Sequence, residues 1–115
     1  MDERLEKALE FANYRSTLSN QKRNIRSRMQ VLQSVHFNGG SFIANEVTIS
    51  FVGSIINAGK SSAIIVDIKD NPIEIEDLQE FQNILIDAYQ QATNEYKIQM
   101  DKIKKARNIK KIMDW

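Results

Sequence analysis

Three stretches of this 115-residue chain carry residue types that could do chemistry. The first is Gly53-Ser54-Ile55-Ile56-Asn57-Ala58-Gly59-Lys60-Ser61, which resembles a phosphate-binding loop. That motif requires four residues between its glycines and a following helix whose N–H groups and dipole meet the phosphate. Here five residues intervene, and Ser62 to Ile68 reads as a strand, so the stretch is expected to be a hairpin loop with a solubilising lysine. The second is the acidic run Asp67, Asp70, Glu74, Glu76 and Asp77, which could hold a hard cation. A calcium loop starting at Asp67 would place Lys69 third, Pro72 sixth and Leu78 twelfth, where the geometry calls for an oxygen ligand, glycine and glutamate. A solvated acidic turn leading into a helix fits better. The third is His36, the one histidine. It could act as a general base or pH switch, but no nucleophile accompanies it, and a contact with the last carbonyls of a helix is the expected role. With no cysteine and one histidine, thiol catalysis, disulfides and Cys/His zinc sites are excluded. The chain is therefore read as non-enzymatic, with no catalytic, cofactor-binding or metal-binding residues and no cofactor.

The elements that would position these residues follow from hydrophobic period and breakers. Residues 3–36 lack Gly and Pro, and Leu5, Ala8, Leu9, Ala12, Ile25, Met29, Leu32 and Val35 recur at spacings of mostly three and four, which predicts a helix stopped at Asn38-Gly39-Gly40. Residues 41–75 change period. Val47, Ile49 and Phe51 alternate with polar residues, and Ile64, Val66 and Ile68 recur at the same two-residue spacing after the loop 57–61, which predicts a hairpin of half-buried strands, with an additional short strand at Phe42–Ala44. Lys69-Asp70-Asn71-Pro72 is a turn. Residues 76–113 again lack Gly and Pro and carry a stripe of Leu78, Phe81, Leu85, Ala88, Ala92 and Tyr96, predicting a helix of roughly 55 Å at about 1.5 Å per residue. The expected fold class is α+β: one domain, 1–115, with two long antiparallel helices flanking a small antiparallel β-hairpin or meander. This helix–β–helix layout resembles that of prefoldin β-type subunits over the whole chain, and the resemblance implies an oligomer whose helices project and hold clients.

Charge is arranged in blocks behind a net +1. Residues 1–10 are acidic, 15–28 basic, 67–87 acidic and 102–111 basic. Antiparallel helices would bring acidic 1–10 opposite basic 102–111, which specifies orientation more than it stabilises, since exposed pairs contribute ~0.2–1 kcal/mol each. The basic stretches, with Arg15, Lys22, Arg23, Arg26, Arg28, Lys102, Lys104, Lys105 and Arg107, are candidates for nucleic-acid binding. The last helix also carries a second apolar set, in which Ile84, Tyr89, Ile98, Met100, Ile109 and Ile112 are candidates for self-association. A small core without disulfides or metals favours oligomerisation. The expectation is a homo-oligomeric structural, assembly or protein-interaction protein that presents helix faces and a β-hairpin to another macromolecule, with a nucleic-acid-binding module as the alternative. No apolar run is long enough for a membrane span and none follows the N-terminal residues as a signal peptide would, so a cytoplasmic location away from membranes is expected.

Overall fold

The computed structural model describes residues 2–113, with side chains described for residues 2–106. The element order is α1 (Glu3–Leu32), β1 (Ser34–Phe37), β2 (Gly40–Ile43), α2 (Glu46–Asn57), β3 (Ala63–Val66), β4 (Pro72–Ile75) and α3 (Leu78–Met113). The fold is α+β, with two small antiparallel sheets of two strands each, β1–β2 and β3–β4. It divides into two compact units, the first comprising residues 1–28 and 96–115 and the second residues 29–95. None of the helices, over the described residues, is long and apolar enough to cross a membrane.

Unit 2 contains both hairpins, α2 and the adjoining parts of α1 and α3. The predicted first helix ends four residues early, at Leu32. Asn38-Gly39 is not its stop but a two-residue hairpin turn, with φ of 49° at Asn38 and 81° at Gly39. Positive φ at both positions suits the twist of the flanking strands. Gln33 closes the open end of this hairpin: its carbonyl accepts from the Ala44 N–H at 2.7 Å, and its side-chain amide donates to the Ala44 carbonyl at 3.1 Å.

The predicted strand over residues 47–51 is the helix α2, and the hairpin joined by loop 57–61 is replaced by β3–β4. Asn45 caps α2 by accepting the Thr48 N–H on its side-chain oxygen at 2.9 Å. At the other end Gly59 adopts φ 88°, so its N–H reaches Ile56 O and the Lys60 N–H reaches Ile55 O. That is the paired closure of a Schellman cap, and the positive φ it requires, not crowding, favours glycine at position 59. β3 then pairs with β4 from Ala63↔Ile75 to Val66↔Pro72.

The core of unit 2 gathers Val35 and Phe42 from the first hairpin, Val52 from α2, Ile65, Ile73 and Ile75 from the second, and Leu78, Phe81 and Leu85 from α3. Phe81 is fully buried, with ring centroids 5.1 Å from Phe37 and 4.8 Å, edge to face, from Phe42. Asp77 caps α3 by accepting the Glu80 N–H at 3.1 Å.

In unit 1 the residues Gln21, Asn24 and Ile25 of α1 and Gln99, Lys102, Ile103 and Ala106 of α3 line one shallow cleft, so the two helices lie side by side there. Tyr14, Leu18 and Ile25 on α1, and Tyr96, Gln99, Met100 and Ile103 on α3, are half-buried. None of the described side chains in unit 1 is fully buried, and Leu5, Leu9 and Phe11 are exposed.

Candidate interaction surface

One face of unit 2 is apolar and open. α2 is apolar on two sides. Ile49, Val52, Ile55 and Ile56, at helical spacing, face the core, while Val47 and Phe51, one turn apart, are 77% and 54% exposed. β3 is apolar on both faces as well. Ile65 is buried, and Ile64 on the opposite face is 70% exposed, followed by Val66 and Ile68, both exposed. The two-residue set Ile64, Val66 and Ile68 expected from the sequence thus faces outward and Ile65 between them faces the core, since a shift of one residue exchanges the faces of a strand. With Ile43 these residues line a single groove of about 560 Å³.

Asp67 also lines this groove, with its carboxylate already committed. It is buried, not solvated as expected. It accepts backbone N–H groups of Ser41 at 2.9 Å, Asn71 at 2.9 Å and Lys69 at 3.0 Å. The hydrogen bonds from Ser41 and Asn71, outweighing desolvation, hold its carboxyl below the usual aspartate value. Asp67 thus braces the β3–β4 turn against the first hairpin, and the Ile68 N–H adds a bond to the Ser41 carbonyl at 3.0 Å. The other members of the acidic run do not gather around a centre: among the described residues no group of three or more His, Cys, Asp or Glu side chains could hold a metal ion.

His36 lies in β1, not at a helix end, and its Nδ1 is 3.1 Å from Ser41 Oγ across the hairpin. Gly53, from the glycine-containing stretch, sits within α2, and Lys60 leads to a strand, so the stretch is not followed by the helix that a phosphate-binding loop requires.

The basic candidates Arg15, Lys22, Arg23, Arg26, Arg28, Lys102, Lys104 and Lys105 are exposed, and all fall in unit 1; Arg107 lies outside the residues with described side chains. Among the self-association candidates, Ile84 and Tyr89 pack, partly buried, against the core of unit 2. Tyr89 also donates its hydroxyl to Glu46 at 3.0 Å, tying α3 to α2. Ile98 is exposed and Met100 half-buried, both in unit 1. Ile109 and Ile112 lie outside the residues with described side chains. The residues missed as a surface were Val47, Phe51 and the outward face of β3; the uninterrupted apolar run Ala63-Ile64-Ile65-Val66 was the available signal, since it exceeds what a one-faced strand needs.

No known protein family, curated protein or solved structure matches this chain.

Proposed function

We propose that the chain is a non-enzymatic, self-associating interaction protein whose unit 2 docks through the α2–β3 groove onto a second copy of itself. The supporting observation is the cluster of six exposed large apolar side chains, Ile43, Val47, Phe51, Ile64, Val66 and Ile68, around one groove. All but Ile43 are more than half exposed. An isolated folded chain rarely leaves so large an apolar patch in water.

A second copy suits this face because it lacks free charge. In a two-fold interface each residue meets the same patch on its partner, so a neutral wall avoids like-charge contacts, and the Asp67 carboxylate is bound internally. In this reading the long helices α1 and α3 pair antiparallel within each chain, and the interface belongs to α2 and the second hairpin, not to the outer stripe of α3. Light scattering coupled to size exclusion tests it: wild type should elute as a dimer, and Phe51→Ser with Ile64→Ser should give a folded monomer. A wild type that stays monomeric would contradict the reading.

A further inference from the structure

The division of charge between the units points to a second surface. Unit 1 holds fourteen Lys and Arg residues against six Asp and Glu, a net of +8; unit 2 holds two against nine, a net of −7. Two basic blocks separated by more than seventy residues in sequence are thus joined in one unit, while most of the carboxylates that could neutralise them lie in the other. We propose that unit 1 is a binding surface for the phosphate backbone of a nucleic-acid duplex.

The arrangement on α1 carries the argument. Arg15, Lys22 and Arg26, at spacings of seven and four, form one row on the helix, and all three are exposed. Like charges at such spacing repel and weaken a helix, and residues 15–28 contain no acid to offset them. Unit 1 tolerates this without one fully buried side chain among those described. A polyanion relieves the repulsion. From Arg15 to Arg26 the row spans roughly 16 Å at about 1.5 Å per residue, a length over which a duplex carries about ten phosphates. A duplex is favoured over a single strand because, among the described residues, the row is dominated by cations: its exposed aromatic, Phe11, has one face taken by the Arg15 guanidinium at 5.8 Å, and Tyr14 is half-buried. The contacts are to backbone, so binding is independent of sequence.

The test is fluorescence anisotropy of the full chain with a labelled DNA duplex of random sequence, a single strand of equal length and a salt series. The affinity for duplex should fall roughly a hundredfold between about 50 and 200 mM salt, as expected for about four phosphate contacts. Arg15→Gln, Lys22→Gln and Arg26→Gln together should lower the slope of log K against log salt by roughly one for each side chain removed, with helicity unchanged by circular dichroism. Lys60→Gln with Lys69→Gln, which removes both cations of unit 2, should leave binding intact. Absence of duplex binding at low salt, tighter binding of the single strand, or equal loss in the unit 2 variant would overturn the proposal. Because the readout uses α1 substitutions, it is separable from dimerisation through unit 2, which is read by mass.

Discussion

The Ser41 N–H donates to Asp67 Oδ2 at 2.9 Å, so a turn of one hairpin is held by a strand of the other. Ser41 also accepts the Ile68 N–H on its carbonyl, and the two bonds join sheets that share no strand. The groove wall at Val66 and Ile68 is fixed by this junction. Its geometry therefore depends on the Asp67 carboxylate together with this backbone bond.

Asp67→Asn should destabilise the fold at neutral pH, because an amide replaces one accepting oxygen with a donor that faces backbone N–H groups. The carboxyl of Asp67 is held below its ordinary value by the bonds from Ser41 and Asn71. A depressed value in the folded state means its stabilisation is present above the unfolded aspartate value of about 3.9 and is lost as pH falls through the lower folded value. Thermal melts should show wild type several degrees above the variant at neutral pH, with the two converging in strong acid. A gap that persists unchanged into strong acid would oppose the assignment.

Phe81→Ala should be the most damaging single truncation of unit 2. The ring is fully buried and meets both Phe37 and Phe42, and such truncations cost about 3–5 kcal/mol. Urea unfolding followed by circular dichroism measures it. Phe81→Leu, which keeps most of the volume, should cost clearly less.

Gly40→Ala and Gly39→Ala should both destabilise, for different reasons. A Cβ at Gly40 would lie 2.6 Å from Ile73 Cγ1 and 2.9 Å from Phe42 Cε2, an overpacking that costs about 1–3 kcal/mol. At Gly39 nothing lies within 4 Å, but φ is +81°. Ile73→Ala, which removes both Cγ1 and Cδ1, should cost less stability in the Gly40→Ala background than in wild type, with no such coupling to Gly39→Ala, read by the same urea titration.

Tyr89 should ionise above the ordinary tyrosine value. Its hydroxyl donates to Glu46, and the hydrogen bond and the negative charge both raise its pKa from 10.0. A raised folded value means that the stabilisation is complete below the unfolded value and is lost as pH rises through the folded one. Ultraviolet titration of tyrosinate should show a late-titrating group that disappears in Tyr89→Phe and moves earlier in Glu46→Gln.

The helix α3 was legible because Leu78, Phe81, Leu85 and Ala92 keep a helical period that coincides with burial, and Asp77 stands where a cap belongs. α2 was not. Val47, Ile49 and Phe51 satisfy a two-residue period over five positions, and β-branched residues favour strands. The contrary signals were at the ends: Asn45 as a cap three residues before Thr48, and Gly59 just past the last turn. Asn38-Gly39 was read for its ability to stop a helix, when the same dipeptide is the preferred two-residue hairpin turn. The groove was hidden by these two exchanges, since it exists only when α2 is a helix and β3 turns Ile64, Val66 and Ile68 outward. The gathering of both basic blocks in unit 1 was likewise invisible along the chain, because it depends on which parts of α1 and α3 pack together.

The most direct test of the account is the absolute mass of the wild-type chain in solution, measured by light scattering over a range of micromolar concentrations. A dimer, twice the 13.3 kDa chain mass, that dissociates when Val47 and Phe51 are both replaced by serine, with helicity retained, is the predicted result. A wild-type particle of 13.3 kDa at every concentration, or a dimer indifferent to those two substitutions, would contradict it.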